Sequence, residues 1–360
     1  MLVNGEKSEP MPVISGVPQG SVIGPLLFLI LIGDIDKEVA HAFLSSFADD
    51  TRIGKQISTP QDAIQLQQDL EKVYQWATTN NMLFNDSKFE LLRYGQNTEL
   101  QQLTTYVSNT NEQIESKSST KDLGVTMSAS AEFKDHVDNI TDTVKDLTAW
   151  ILRSFKTRSK TVMLQLWKSI VIPRLDYCSQ LWNPSKVYLI KQLEELQKNF
   201  VRRIHGFGNM DYHTALRKLK LYSLQRRRER YQIIYLWSII ESQVPNISDN
   251  SNGDLIRVQS TIQSRRGRTI ATKVLRSSRY ANIRFNSLPF AGARLFNALP
   301  KSLRNLTSCS KMVFKSKLDS ILIKLSDHPL RSCEISSTQA NSNSLADLLP
   351  RWGESSLGEC

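Results

Sequence analysis

Phe47-Ala48-Asp49-Asp50 is the stretch that decides the fold of this chain, because it sets two adjacent carboxylates between two apolar segments. Phe43-Leu44 leads into it, and Thr51-Arg52-Ile53 follows it. This pattern predicts a β-hairpin with the two acids at its tip. Neighbouring anions are tolerated at such a tip when solvent or a divalent cation neutralises them, and hard carboxylate oxygens suit Mg²⁺.

A glycine-containing loop, Ser15-Gly16-Val17-Pro18-Gln19-Gly20-Ser21, precedes the two acids in the sequence. Glycine lets a backbone approach a nucleotide closely, and a glutamine amide can both donate and accept hydrogen bonds. A structural turn is the alternative interpretation, because Gly24-Pro25 and the apolar run Leu26–Ile32 follow the loop. That run predicts a buried helix ending near Gly33 or Asp36.

The loop and the acidic motif together resemble a known family. Ser-Gly-Val-Pro-Gln-Gly-Ser-Val-Ile-Gly-Pro-Leu-Leu-Phe at 15–28 and Phe-Ala-Asp-Asp-Thr at 47–51 resemble the palm of a reverse transcriptase from a non-LTR (LINE-type) retrotransposon. The resemblance implies two-metal nucleotidyl transfer, in which paired Mg²⁺ (or Mn²⁺) ions activate a primer 3′-hydroxyl and stabilise the leaving pyrophosphate. It also implies three partners: an RNA template, a DNA primer and a dNTP.

The same resemblance assigns roles to individual residues. It implies that Asp49 binds the metal with Asp50 as its supporting neighbour, and that Phe47 lies beside the primer terminus. The residues implied to contact the nascent base pair and the template are Gly16, Pro18, Gln19 and Gly20. A solvated turn is the alternative interpretation of the two acids when they are considered without the preceding loop.

Two later motifs extend the resemblance. Asn85-Asp86-Ser87-Lys88 is similar to the next family motif, which implies that Lys88 neutralises the departing pyrophosphate; an ordinary surface lysine is the alternative. Asp122-Leu123-Gly124-Val125 is similar to the primer-grip hairpin and implies primer contacts at Leu123 and Gly124. Asp122 stands where the family has tyrosine, and its charge would repel a phosphate backbone.

The charge of the chain is divided unevenly along its length. The net charge is +11, with 10 Lys/Arg and 19 Asp/Glu in residues 1–140 against 36 and 16 in residues 141–360. An acidic front and a strongly basic back predict a metal–carboxylate site followed by a polyanion-binding surface. Solvated basic helices without a partner are the alternative interpretation.

Apolar spacing predicts that the basic half is helical, and one helix carries the string Arg226-Arg227-Arg228-Glu229-Arg230. Leu224, Ile234 and Trp237 fall on its other face, so we expect an amphipathic helix whose cationic side contacts phosphates. The residues expected to contact the nucleic-acid backbone are Arg202, Arg203, Arg226, Arg227, Arg228 and Arg230. Arg217, Lys218 and Lys220 extend this charge.

The expected fold class is α+β: a partial polymerase palm, with an antiparallel sheet and helices, followed by an α-helical thumb-like region. Shifts in composition divide the chain into five parts. These are a truncated palm at 1–130, a helical thumb or connection region at 131–245, a polar basic linker at 246–282, a small C-terminal element at 283–328 and a disordered tail at 329–360.

Fifteen residues precede Gly16, whereas the family's fingers and an upstream palm strand with its own carboxylate are expected before this loop. Metal-ion catalysis depends on fixed geometry, so we expect the chain alone to be inactive or nearly so as a polymerase. An incomplete palm sheet is also expected to expose apolar surface. The alternatives are a non-catalytic basic nucleic-acid-binding protein and an unselected fragment of an element.

The composition bears on compartment and membrane contact. No apolar run approaches the ~20 residues of a membrane span, so no membrane partner is expected. The four cysteines have no CxxC spacing, which favours reduced thiols and an intracellular location, nuclear or cytoplasmic.

Overall fold

The computed structural model describes residues 2–3, 5–7, 9, 16–17, 20–95, 98–246, 248–249, 253–254, 256–272, 281–329 and 343–355. The chain divides into two compact units, a first unit at 1–120 and a second unit at 121–360. Helices dominate and the sheets are small, which confirms the expected α+β class. Across the part of the chain that is described, no helix combines the length and apolar character needed to span a bilayer.

The described sheets are each a pair of short strands, all antiparallel where their register is given except the parallel pair β5–β6. The strands are β1 (Leu2–Val3), β2 (Glu6–Lys7), β3 (Phe43–Phe47), β4 (Asp50–Gly54), β5 (Leu91–Leu92), β6 (Ser116–Lys117), β7 (Ser119–Asp122), β8 (Val125–Ser128), β9 (Ser248–Asp249), β10 (Gly253–Asp254), β11 (Val258–Ser260) and β12 (Thr269–Ile270).

The helices carry most of the chain. They are α1 (Gly24–Ile32), α2 (Pro60–Thr79), α3 (Thr98–Leu103), α4 (Lys134–Ser154), α5 (Lys160–Leu166), α6 (Ile172–Asp176), α7 (Ser179–Trp182), α8 (Val187–Val201), α9 (Tyr212–Leu219), α10 (Leu224–Ile240), α11 (Ala281–Asn286), α12 (Leu288–Ala298), α13 (Lys301–Arg304), α14 (Lys311–Leu322) and α15 (Leu345–Ser355). A π-helical turn, Trp167–Val171, joins α5 to α6 just before Pro173, whose missing N–H interrupts an α-helical ladder.

The first unit is built on α2. Thr59 begins this helix with a capping box: its hydroxyl accepts a hydrogen bond from the Asp62 N–H, and the Asp62 carboxylate accepts one from the Thr59 N–H. The hydrophobic cluster at the centre of this unit contains the buried residues Ile32, Ile35, Val73, Trp76 and Ala77. The Trp76 indole also donates to Asp34 at 2.9 Å, which ties α2 to the segment that follows α1.

Helix α1 has the predicted bounds but not the predicted burial. It ends at Ile32, with Gly33 as its C-cap. The side chains of Leu26, Leu29 and Ile30 are 58%, 53% and 67% exposed, so the prediction of a buried helix is wrong. An all-apolar sequence therefore forms the helix, but the described residues of the first unit cover only a small part of its surface.

The second unit has two hydrophobic cores. The first forms where α4, the α5–α6 helix, α8 and α9 meet, and Trp167, Trp182 and Phe200 lie in it. The second forms around α10, α12 and α14, where Trp237 stacks on Phe314 with ring centroids 4.4 Å apart. Most of the free energy of burial in the described chain is therefore in this unit.

Parts of the predicted linker and of the predicted tail are described in the second unit. Ile256 and Ile270 lie in the second core, and buried Arg268 donates to the carbonyls of Arg304 and Leu306, so the predicted polar linker is structured over 256–272. Residues 343–355 of the predicted disordered tail are also described, and Leu345 at the start of α15 is fully buried. The rest of that tail, 330–342 and 356–360, lies outside the described residues.

Candidate functional site: the carboxylate hairpin

The two acids lie at the tip of a hairpin, as the two flanking apolar segments predicted. Strands β3 and β4 pair in register from Phe43 opposite Gly54 to Phe47 opposite Asp50, so Ala48 and Asp49 form a two-residue turn. Ala48 has φ of 52°, the left-handed backbone that tight hairpin turns require. The register places Phe47 directly opposite Asp50, one residue from Asp49.

Both carboxylates are exposed, and neither forms a hydrogen bond or ion pair with any residue in the described part of the chain. Just below the tip, the Ser46 and Thr51 hydroxyls lie 3.0 Å apart and join the two strands. The acids are thus available to a cation, and the arginines of the first unit do not neutralise them.

Asp49 and Asp50 can supply part, but not all, of the ligand set of a divalent cation. Mg²⁺ in nucleotide enzymes uses one or two carboxylates, with substrate phosphates and water supplying the remaining ligands. Asp49 and Asp50 supply two hard oxygen donors at adjacent positions. Within the described ranges, no group of three or more His, Cys, Asp or Glu side chains is arranged to hold a metal by itself.

Asp69 on α2 fixes the start of the hairpin and belongs to none of the sequence motifs. Its fully buried carboxylate accepts hydrogen bonds from the backbone N–H groups of Ala40, His41 and Ala42 at 3.1, 2.7 and 2.8 Å. Phe43, the first residue of β3, follows at once. The one sequence signal was a charged residue within an apolar stripe of α2, between Leu66 and Leu70.

The ionisation of Asp69 depends on those hydrogen bonds. Burial acts to raise the pKa of its carboxyl, but the three backbone N–H donors and nearby His41 outweigh burial, and the pKa lies below its ordinary value of 3.8. The carboxylate is therefore charged at neutral pH, the form that accepts all three bonds. This interaction orients the strand that leads to Asp49 and Asp50.

The glycine loop is only partly described. Gly16 and Gly20 both have positive φ, 86° and 83°, in the region that favours glycine. Pro18 and Gln19 lie outside the described residues. The Ser21 hydroxyl accepts a hydrogen bond from the Gly24 N–H at 3.1 Å and so leads the loop into α1. No described contact joins this loop to the hairpin, and its nucleotide role stays a prediction.

Lys88 lies in a short 3₁₀ turn, Asp86–Lys88, that is anchored to α2. Asp86 accepts a hydrogen bond from the Tyr74 hydroxyl at 3.1 Å, and the Phe89 ring stacks on Tyr74 with centroids 5.4 Å apart. The Lys88 side chain is exposed, and no described contact joins it to Asp49 or Asp50. Its catalytic role stays a prediction.

Leu123 and Gly124 form the two-residue turn between β7 and β8, each with positive φ, 43° and 83°. Tyr177 supports this turn: its hydroxyl donates to the Leu123 carbonyl at 2.8 Å, and its ring lies against Gly124 so closely that a Cβ there would be 3.3 Å away. The hairpin was predicted from sequence, whereas its tyrosine support comes from a distant segment. Primer contact by this turn stays a prediction.

The predicted cationic side of α10 is wrong for Arg226 and Arg228, whose side chains are buried at 0% and 2% exposure. Arg226 donates to the carbonyls of Leu325 and Ser326 at 2.8 and 2.6 Å. Arg228 donates to the Asn183 side chain at 3.0 Å. The helix is enclosed on nearly all sides because other helices pack around it, so these guanidinium groups cannot reach a phosphate.

Arg227 and Arg230 are committed to internal ion pairs. Arg227 makes a bidentate contact with Asp176, at 2.8 and 2.6 Å, and Arg230 makes one with Asp319, at 2.6 Å for both bonds. Bidentate pairs of this kind are strong and directional. They hold α10 against α6 and α14, which makes all four arginines part of the framework of the second unit. Arg202 and Arg203, by contrast, are exposed.

The first 127 residues match a family model described as reverse transcriptase (RNA-dependent DNA polymerase). Residues 1–127 are therefore similar to reverse transcriptases. The match includes the glycine loop, the carboxylate hairpin, the Lys88 turn and the Leu123–Gly124 turn. Reverse transcriptases act on a nucleic-acid template and primer with dNTPs and use divalent metal ions.

Sequence relatives extend the likeness into the second unit. The RNA-directed DNA polymerase from mobile element jockey of Drosophila melanogaster is 28% identical over 217 residues, which cover 57% of this chain and 23% of that protein. The probable RNA-directed DNA polymerase from transposon X-element of the same species is 28% identical over 221 residues, covering 58% and 24%. The jockey protein of Drosophila funebris is 24% identical over 214 residues, covering 56% and 23%.

These comparisons confirm the resemblance to a reverse transcriptase of a non-LTR (LINE-type) retrotransposon. The matched part spans about a quarter of the length of these curated relatives. No solved structure matches the chain.

Proposed function

We propose that this chain is part of an RNA-directed DNA polymerase in which Asp49 and Asp50 bind Mg²⁺ at the site of nucleotidyl transfer. The observation that carries the proposal is the hairpin tip: two adjacent, exposed carboxylates without a described partner, within residues that match the reverse transcriptase family model. A bound magnesium ion would supply activation of a primer hydroxyl and charge neutralisation at the leaving pyrophosphate.

The chain's own residues act by positioning. Asp69 fixes the start of β3 through three backbone hydrogen bonds, and the Ser46–Thr51 hydroxyl pair joins the strands below the tip. Together they hold the strands that carry the two carboxylates, and metal-ion catalysis depends on fixed geometry. Phe47 presents an exposed ring at the same tip, where a primer terminus could pack against it.

Mn²⁺ binding by the full chain tests the proposal without requiring turnover. Electron paramagnetic resonance would measure free Mn²⁺ in the presence of a template–primer duplex and a dNTP. We expect the Asp49→Asn/Asp50→Asn variant to weaken Mn²⁺ binding by about tenfold or more, since each lost charge removes a hard anionic ligand. Competition by Mg²⁺ would show that the two ions share the site.

The matched control is Asp36→Asn/Glu38→Gln, which removes two exposed carboxylates from another part of the same unit. This variant should bind Mn²⁺ as the unaltered chain does. Equal loss in both variants would mean that bulk charge attracts the ion. Unchanged binding in the Asp49→Asn/Asp50→Asn variant would refute the proposed metal site.

A further inference from the structure

The β7–β8 hairpin, which carries the Leu123–Gly124 turn, is held at two points by side chains from other segments. At the turn, the Tyr177 hydroxyl donates to the Leu123 carbonyl at 2.8 Å, and the Tyr177 ring lies against Gly124. In β8, the backbone N–H of Thr126 donates to the ring nitrogen Nδ1 of His136 at 3.1 Å. A two-stranded hairpin is marginally stable by itself, so these outside contacts decide how firmly the turn is held.

The two points are joined to each other through Trp182. The Trp182 indole N–H donates to the Tyr177 carbonyl at 2.7 Å. Its ring meets the His136 ring at 70°, with centroids 5.2 Å apart. We call Tyr177, Trp182 and His136 the hairpin clamp. Because the clamp contacts both the turn and β8, it restrains the orientation of the hairpin as well as its position.

His136 can take part in the clamp in one protonation state only. The Thr126 N–H is a donor, so Nδ1 must accept, and the proton of the neutral ring must then be on Nε2. The ring is 3% exposed, and Nε2 has no hydrogen-bond partner within the described part of the chain. A second proton would set an N–H against the Thr126 N–H and bury a charge. The clamp therefore requires the neutral ring with its proton on Nε2.

The surroundings of His136 favour this neutral form. Burial lowers the pKa of His136 to about 4, and the Lys121 ammonium group on β7 acts in the same direction. Strand β8 and helix α7, which contact the ring, contain no charged residue. Several charged groups on the adjacent segments are paired with one another, namely Glu132 with Lys186, Lys134 with Asp138, and Asp176 with Arg227.

We propose that His136 and Tyr177 are positioning residues, which fix the Leu123–Gly124 turn for contact with a ligand through the hairpin clamp. Gly124 is exposed and Leu123 is half-buried, so the turn is accessible while its backbone is held from behind. A contact segment that is already ordered costs less free energy to bind. This role deepens the proposed function and rests on it for the identity of the ligand, a primer strand.

Hydrogen exchange at the Thr126 amide of the full chain tests the role of His136. His136→Leu keeps an apolar side chain but removes the acceptor, so exchange should become about tenfold faster, the equivalent of one lost hydrogen bond. His136→Asn should restore slow exchange, because its Oδ1 can accept in the place of Nδ1. Equally fast exchange in the two variants would overturn the role, since packing alone does not need an acceptor.

Tyr177→Phe tests the other point of the clamp, because it removes the hydroxyl and leaves the ring. Exchange at the Gly124 amide should become about threefold to tenfold faster. The matched controls are Tyr188→Phe, which changes a half-exposed tyrosine of α8, and His205→Leu, which changes an exposed histidine. Both controls should leave the Gly124 and Thr126 amides as they are in the unaltered chain. Loss of protection in the controls as well would overturn the clamp.

Nitrogen NMR of the histidine rings tests the protonation state in the unaltered chain, without any variant. An ordinary histidine is half-protonated near about pH 6.5. His136 should keep an accepting Nδ1 and a protonated Nε2 from about pH 7.5 to about pH 5.5, because burial opposes its charged form. A proton on Nδ1, or titration near about pH 6.5, would overturn the assignment.

Photo-crosslinking in EDTA tests the ligand, with thiothymidine in the primer strand of a template–primer duplex. The unaltered chain should crosslink within residues 122–126, and His136→Leu and Tyr177→Phe should each lower that yield by about threefold. His136→Asn should restore the yield. An unaltered chain that crosslinks elsewhere only would overturn the positioning role.

The Asp49→Asn/Asp50→Asn variant separates this role from the proposed metal site. In EDTA it should crosslink at the turn as the unaltered chain does, so failure of metal binding at the carboxylate hairpin leaves the positioning role standing. Loss of turn crosslinks in that variant, with full yield in His136→Leu and Tyr177→Phe, would overturn it.

Discussion

The two units of this chain differ in how many side chains they bury and in which side chains these are. In the first unit, the hydrophobic cluster has five buried residues, while leucines and isoleucines of α1 are exposed. In the second unit, two cores of 20 and 17 described residues enclose even arginine side chains. In this chain, therefore, a side chain is buried where neighbouring elements can pack against it, whatever its polarity.

The difference extends to how charge is used. The first unit leaves Asp49 and Asp50 exposed at a hairpin tip, whereas the second unit encloses Glu194, Arg226 and Arg228. Burial raises the pKa of Glu194 and lowers that of Arg228, with each group's charge partly offsetting the shift of the other. The exposed acids are thus available for ligands, and the enclosed groups maintain the packing of helices.

The largest effect on stability should come from removing one of the buried charged side chains. Arg226→Ala should lower the free energy of unfolding of the second unit by about 3–5 kcal/mol, because it removes the donor to two carbonyls and the cation beside Asp327. Urea unfolding followed by circular dichroism measures it. Arg202→Ala, an exposed arginine in the same unit, should change stability by less than about 0.5 kcal/mol. Similar values for both variants would contradict the burial of Arg226.

A second large effect should follow from Leu345→Ala at the start of α15. Leu345 is fully buried in the second core, so truncation should cost about 2–4 kcal/mol through lost burial and the cavity left behind. Its N–H also donates to Glu229 at 2.7 Å, and that bond would loosen with the helix. Hydrogen exchange at the backbone amide of residue 345, compared between the variant and the unaltered chain, measures this loss. An unprotected amide in the unaltered chain would show that α15 does not dock.

Asp69→Asn should have a moderate and local effect in the first unit. Loss of a charged acceptor for three N–H groups should cost about 1.5–3 kcal/mol and speed amide exchange at Ala40, His41 and Ala42. Tyr74→Phe is the control: it removes one hydroxyl from the same helix, and the three amides should keep their protection. Unchanged exchange in Asp69→Asn would refute the anchoring role.

The pH dependence of first-unit stability tests the same role of Asp69. Its pKa is lower in the folded chain than the ordinary value of 3.8, so its contribution to stability is fully present above that value and disappears as pH falls through the folded pKa. The unaltered chain should therefore lose first-unit stability in acid more steeply than Asp69→Asn. Parallel acid profiles would contradict the assignment.

The smallest effect should come from α1. Leu26→Gln/Ile30→Gln should change the free energy of unfolding by less than about 0.5 kcal/mol per site, because both side chains are mostly exposed. The same variant should reduce aggregation in light scattering, since it shrinks an exposed apolar patch. Leu193→Gln, in the first core of the second unit, should instead unfold that unit. Marked destabilisation by the α1 variant would show that its surface is covered.

The sequence by itself determined the family motifs, the carboxylate hairpin and the bounds of α1, because each is written in neighbouring residues: Ala48-Asp49 between two apolar segments, and an apolar run ending at Gly33. Only the tertiary structure decided which charges face inward. Arg202 and Arg226 look alike along the chain, but Arg226 is enclosed by carbonyls about a hundred residues away. Periodicity specifies an element, whereas burial depends on partners from distant segments, and that is also why Asp69 and Tyr177 emerged only from the folded chain.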